Sequence, residues 1–178
     1  MKSEPMGGDR LTHFNGLPAP VARAELLACC AAPSWAEQMA AGRPYCSAHD
    51  AIRQSAMIVA GMRVTDLAAA LAGHPRIGER TQAGHGPVRS AGWSAQEQSG
   101  VHDADAQTAH ALAESNLEYE RRFGHIYLVC ASGRAGAELL ALLRSRLHND
   151  APAEWQVVRS ELQNINEVRL RKLLAGSP

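Results

Sequence analysis

The sequence predicts an all-α protein, a single compact multi-helix bundle with one buried extended segment at about 123–131. Three observations carry this. Alanine and leucine, which favour helix, recur through most of the chain. Apolar residues step by three and four in one stretch after another, the spacing of a helix face. The stretch F-G-H-I-Y-L-V-C-A alone has strand-like character, and a lone strand has nothing to pair with. With 178 residues and 46% hydrophobic content, one core of ordinary size is expected. The predicted layout is a flexible lead-in over 1–15 and one helical domain over 16–178.

Charge and cysteine content narrow the function. Eighteen Lys plus Arg balance eighteen Asp plus Glu, so no net field draws in nucleic acid or a membrane surface. A small ligand, neutral or anionic and met by a few placed charges, suits the chain better. Cys29, Cys30, Cys46 and Cys130 form no Cys-x-x-Cys pair, which predicts reduced thiols and a cytoplasmic setting. The polar start lacks the apolar core of a signal peptide, and no apolar run approaches the roughly 20 residues that span a bilayer.

From Pro18, the text P-A-P-V-A-R-A-E-L-L-A-C-C-A-A predicts a helix. Ser34 is expected to cap a short helix that stops at Gly42, with R-P-Y-C-S as connector. Ser47 caps the next, where Ile52, Ser55, Ile58 or Val59, and Met62 share a face. Thr65 is expected to cap T-D-L-A-A-A-L-A, with Asp66 in the first turn and Gly73 at the end. His74 precedes Pro75, and a residue before proline is pushed out of helical geometry. His74 is thereby fixed at a helix exit.

Glycines 78, 84, 86 and 92 with Pro87 predict a long loop over 76–92, and loops of that length in compact domains usually serve function. Ser94 is expected to open the following helix, with Glu97 as its capping-box partner. A helix over about 105–122 carries Ala109, Leu112, Asn116, Tyr119 and Phe123 on one stripe, so Asn116 faces inward. The extended segment must find partners for its N–H and C=O groups outside any sheet, a ligand being one candidate. Leu139 or Leu140, Leu143 and Leu147 mark another helix. Pro152 opens the last, where Trp155, Val158, Leu162 and Ile165 lead to Arg169. An arginine on an apolar stripe needs an anionic or carbonyl partner if it is buried.

Four motifs in order, H-P-R-I-G-E from His74, S-x-x-E-Q from Ser94, N-x-x-Y-x-x-x-F-G from Asn116 and I-N-E-V-R-L from Ile165, resemble the 2-oxo-4-hydroxy-4-carboxy-5-ureidoimidazoline (OHCU) decarboxylase family. The similarity spans about 14–174. It implies an all-helical homodimer, without cofactor or metal, that yields (S)-allantoin in urate breakdown. It places the catalytic histidine at His74, with Pro75 beside it. It places substrate contacts at Ser94, Ala95, Gln96, Glu97 and Gln98, on the backbone of Tyr127, Leu128, Val129, Cys130 and Ala131, and at Arg169. Two departures stand out: the loop between His74 and Ser94 is longer than in some members, and F-G-H-I-Y replaces F-G-F-P-F.

The implied substrate has a carbon bearing both hydroxyl and carboxylate, next to a C=N carbon bearing the ureido group. The electrons left by departing carbon dioxide flow into that C=N, so the substrate supplies its own electron sink. Histidine, with a reference pKa of roughly 6.5, suits proton delivery to the ureido-bearing carbon. Glu97 either takes the hydroxyl proton or holds His74 in its charged form. N–H groups at a helix start near Ser94 would hold a carboxylate or ring carbonyl, Arg169 another oxygen, and Gln98 would both donate and accept.

Each assignment has a plainer rival. His74 at a helix end suits the dipole there, Glu97 serves as a cap alone, Arg169 is a structural ion-pair arginine, and Asn116 is a buried amide. His49 near Cys46, and His85, lack the second close pair that zinc needs. The rival function from another class is a non-catalytic helical module that binds a ureide, which has no need of an acid and a base together.

Overall fold

The computed structural model describes residues 7–78, 88–98 and 104–175. Among them it forms nine helices: α1 (Gly7–Gly16), α2 (Ala19–Cys29), α3 (Pro33–Ala41), α4 (Ala48–Gly61), α5 (Val64–Leu71), α6 (Val88–Glu97), α7 (Ala106–Phe123), α8 (Gly136–Arg146) and α9 (Ala151–Leu174). No strand occurs among the described residues, as the predicted all-α class requires. No described helix is long and apolar enough to cross a membrane. By its contacts the chain gathers into two compact units. One runs to Ala69 and resumes at Gln163; the other is Ala70–Leu162.

In the first unit, Leu26, Trp35 and Met39 are fully buried, and the one polar atom of Trp35 is satisfied: its Nε1–H donates to Ser55 Oγ at 3.1 Å. The start of the chain departs from prediction. Residues 7–16, expected as lead-in, form α1, and Phe14 is 2% exposed. Arg43 explains how so polar a stretch is held. Its Nη1 donates to the carbonyls of Phe14 and Leu17, both at 2.8 Å, supplying the donors a helix end lacks. That partner lies 29 residues away, beyond any local sequence signal.

Two predicted caps move. Ala32, with Pro33 after it, starts α3, so Ser34 lies inside the helix, where its hydroxyl donates to Asp66 Oδ1 at 3.1 Å. Helix α5 starts at Val64, ahead of Thr65, and Asp66 Oδ2 accepts the Arg63 N–H at 3.3 Å. A carboxylate three residues on serves the helix start better than an internal threonine hydroxyl. Ser47 does cap α4, accepting the Asp50 N–H at 3.0 Å. The later part of α9 adds Ile165, Leu170 and Leu174 to this unit's buried residues, and Gln163 Nε2 donates to Ala56 O at 3.1 Å.

The second unit has its own core. Leu112 and Tyr119 of α7, Leu139, Leu140 and Leu143 of α8, and Tyr127, Val129 and Ala131 between those helices cluster with Ile77. Asp105 caps α7 by accepting the Thr108 N–H at 2.8 Å, and Gly124 ends it at φ 75°, the left-handed region where glycine is unstrained. The approach to α8 is tight at Gly136, where an added Cβ would sit 2.7 Å from that of Ala104. Because α7 runs on to Phe123, the irregular segment is 126–131, three residues shorter at its start than predicted.

Candidate active site

His74 follows the exit of α5, its N–H donating to Leu71 O at 3.0 Å. The side chain turns back on its own helix, with Nδ1 2.9 Å from Ala70 O. A carbonyl only accepts, so Nδ1 carries a hydrogen in either charge state and the proton that comes and goes belongs to Nε2, which is buried.

The loop after His74 is tied down residue by residue. Arg76 Nη2 donates to Glu120 Oε2 at 2.9 Å, the Ile77 carbonyl accepts from Asn116 Nδ2 at 3.0 Å, and the Gly78 N–H donates to Gln98 Oε1 at 3.0 Å. The hydrogen bonds and charge of Arg76 hold the Glu120 carboxyl below its ordinary range despite partial burial. Gly78 has φ 86°, a conformation that favours glycine.

Helix α6 corrects one expectation. It begins at Val88, six residues before Ser94, and the Gln98 N–H donates to Ser94 O at 3.1 Å as an ordinary helical bond. Ser94 is therefore no cap, Glu97 is no capping-box partner, and no helix start offers its N–H groups there. Residues 94–98 form the last turn and exit, where carbonyls and the negative dipole end prevail. An anionic group needs its donors from elsewhere. Gly92 within the helix, which costs about 1 kcal/mol relative to alanine, is what made this stretch read as loop. Ser94 and Gln98 are buried, Glu97 is half-buried, and Ala95 and Gln96 are exposed. The part of the predicted 76–92 loop at 79–87 lies outside the described residues, as does His85.

Segment 127–131 is buried except for the half-buried Cys130. Two of its backbone groups are served by side chains and one by a backbone turn. The Leu128 carbonyl accepts from Arg146 Nη1 at 2.7 Å, and the Cys130 N–H donates to Glu161 Oε2 at 2.8 Å. The Ala131 carbonyl accepts the Arg134 N–H at 3.0 Å. Val129 is 4% exposed, and among the described residues no hydrogen bond reaches its backbone. Burial pushes the Cys130 thiol up, and the negative charges of Glu161 and Glu97 push it further. The Glu97 carboxylate thus lies within electrostatic reach of this segment.

Arg146 is itself held. Its Nε donates to Glu154 Oε1 at 2.8 Å, Tyr119 donates its hydroxyl to the same oxygen, and Asn149 Nδ2 donates to Oε2 at 2.7 Å. The guanidinium lies 4.7 Å from the centre of the Tyr127 ring. Glu154 is fully buried. Burial opposes the Arg146 charge, but Glu154 outweighs it and holds the guanidinium protonated. Burial also pushes the Tyr127 phenol up to about 12. Sequence reasoning missed Arg146, Glu154 and Glu161. The signal was the one that marked Arg169: Arg146 continues the Leu139 and Leu143 stripe, and Glu154 stands four before Val158.

Thus His74, Pro75, residues 94–98 and residues 127–131 all belong to the second unit. Arg169 belongs to the first, 2% exposed, with Nη1 donating to Cys29 O at 3.1 Å, the carbonyl partner its buried position requires. Close by, burial pushes the Cys30 thiol up to about 11, against the Ala32 N–H and the charge of Arg169. Among the described residues no group of three or more His, Cys, Asp or Glu is placed to hold a metal ion.

An all-helical chain of this size, with a buried irregular segment partly held by side chains, belongs to the class of small helical proteins. The family follows from comparison: the OHCU decarboxylase family model matches residues 15–171, and the chain belongs to that family. It is 29% identical over 147 residues to the uric acid degradation bifunctional protein TTL of Arabidopsis thaliana, covering 83% of this chain and 45% of that protein. The chain thus spans about half the length of that relative. It is 26% identical over 133 residues to the 2-oxo-4-hydroxy-4-carboxy-5-ureidoimidazoline decarboxylase of Amia calva, covering 75% of each. Among solved structures, an OHCU decarboxylase crystallised in the presence of (S)-allantoin matches with a TM-score of 0.73 and 32% identity, over 85% of this chain and 97% of that one. An (S)-allantoin synthase matches with a TM-score of 0.66 at 13% identity, over 92% of this chain and 54% of the other, a likeness of fold alone.

Proposed function

We propose that this chain decarboxylates 2-oxo-4-hydroxy-4-carboxy-5-ureidoimidazoline to (S)-allantoin in urate breakdown, without a cofactor. The supporting observation is His74 within a chain that matches the family over 15–171, its Nδ1 engaged by Ala70 O so that Nε2 handles the proton. The bond from the hydroxyl-bearing carbon to its carboxylate breaks. The released pair forms a double bond to the ureido-bearing carbon, and the C=N pair moves onto nitrogen, which takes a proton. The resulting enol gives its hydroxyl proton to Glu97, while His74 Nε2 delivers a proton to one face of the ureido-bearing carbon, setting its chirality. The Val129 N–H and C=O, buried and lacking a partner among the described residues, suit an N–C=O edge of the ring. Ser94, Gln98 and Pro75 complete the proposed contacts, with Ala95 and Gln96 beside them. Arg169 is assigned no step.

We further propose a cytoplasmic homodimer. The four thiols form no disulfide, which suits a reducing compartment, and the family resemblance supports the dimer. Light scattering on the purified chain tests the assembly. For activity, urate oxidase and hydroxyisourate hydrolase generate the unstable substrate from urate, and circular dichroism follows the allantoin. Rapid appearance of one enantiomer supports the enzyme. Racemic product at the spontaneous rate leaves a ureide-binding module.

A further inference from the structure

We infer that Glu161 and Arg146 are positioning residues that grip one edge of segment 127–131 and so turn its other edge toward the substrate. This rests on the reading above, in which that segment holds the substrate.

In an extended chain, successive residues direct their N–H and C=O groups to opposite sides, so Leu128 and Cys130 share an edge and Val129 takes the other. The Leu128 carbonyl is gripped by Arg146 and the Cys130 N–H by Glu161, whereas no hydrogen bond from a described residue reaches the Val129 backbone. One helix organises both grips. Glu154 and Glu161 are seven residues, two turns, apart on α9 and therefore on one face. The first acts through Arg146, which it binds at 2.8 Å, and the second directly. The Leu128 N–H, the Cys130 C=O and both groups of Tyr127 likewise meet no described partner, so what marks the two edges is where the side-chain grips fall: both on Leu128 and Cys130, none on Tyr127 or Val129. The pattern is that of a backbone fixed from behind and left open in front. Glu161 also bonds with a carboxylate, the stronger partner for an N–H, and so resists slippage of the segment by one residue.

Glu161→Ala removes the grip on Cys130, while Glu161→Gln keeps an acceptor oxygen for the same N–H. The inference predicts KM for OHCU, and the dissociation constant for (S)-allantoin, raised about tenfold in Glu161→Ala with kcat little changed, the signature of lost uniform binding. Glu161→Gln returns both to near wild type. Hydrogen exchange, which needs no turnover, should show faster exchange of the Cys130 amide in Glu161→Ala and restored protection in Glu161→Gln. Arg146→Lys, which keeps the charge and one donor to Leu128, gives a second KM shift in the same direction. If the wild type makes (S)-allantoin and Glu161→Ala has unchanged KM and unchanged Cys130 exchange, the positioning role is overturned and the decarboxylase reading stands. If the wild type makes no (S)-allantoin, that reading falls and takes this inference with it.

Discussion

The Asn116 side chain donates to the Ile77 carbonyl at 3.0 Å across 39 residues of chain, so α7 holds the loop that begins at His74. Asn116 is 4% and Ile77 6% exposed, so water offers no substitute. Asn116→Ala should cost about 1–3 kcal/mol, because a buried carbonyl loses its donor. Asn116→Asp should cost more, since it sets a carboxylate against that carbonyl. Urea unfolding of the three proteins checks the order, and equal midpoints would contradict it.

His74→Ala removes the proposed proton donor and should leave the helices intact. Decarboxylation should fall by about 10²–10⁴-fold, the usual share of a general acid, with the far-ultraviolet dichroism unchanged. A variant keeping full rate would remove His74 from the mechanism.

Glu154 is fully buried against Arg146, Tyr119 and Asn149. Removing one partner of a buried ion pair strands the other, at about 3–5 kcal/mol. Glu154→Gln should lower the melting temperature by about 10 °C for a chain of this size. The paired change Arg146→Met with Glu154→Leu should lower it less than Glu154→Gln does, since no charge is left stranded. A scanning calorimeter separates the two.

The Glu120 carboxyl, held below its ordinary range by Arg76, makes the tie to the His74 loop depend on pH. A lowered native pKa adds stability that is fully present above the ordinary carboxylate value of roughly 4.3 and is lost as pH falls through the native value. Arg76 is 41% and Glu120 22% exposed at the side chain, so solvent screens the pair and the effect stays under about 1 kcal/mol. Glu120→Gln should be slightly less stable than wild type at pH 7, with the gap closing below about pH 4. A constant gap from pH 7 to pH 3 would contradict the assignment.

Alkylation should follow exposure and thiol acidity. Cys46 is exposed, Cys130 is half-buried with its thiol pushed up, and Cys30 is fully buried and pushed up to about 11. Iodoacetamide at pH 8 should label Cys46 first, Cys130 slowly and Cys30 only on unfolding, as mass spectrometry of timed samples would show. Early labelling of Cys30 would mean that the first unit opens readily.

Periodicity carried much of the fold, because an apolar stripe at helical spacing is local information: the ends of α4 and α7 and the burial of Asn116 follow from it. What it missed depends on distant partners. Helix α1 needs Arg43, and α5 starts where Asp66 can reach back to Arg63. The place of His74 just past a helix and the burial of segment 127–131 were legible from a residue before proline and an apolar run without a partner strand, while their proposed roles came from the family resemblance. The start of α6 was hidden by Gly92. Arg146, Glu154 and Glu161 were passed over because charged residues are ordinarily assigned to the surface.

The Gly78 N–H can only donate, so it fixes which way the Gln98 amide points, with oxygen toward the loop. That places its two N–H hydrogens on the side away from the loop, while Oε1 keeps one further lone pair beside Gly78. In the proposed site, a molecule lodged against those hydrogens would have to present a lone pair there, and an analogue with an amino group at that position would set donor against donor.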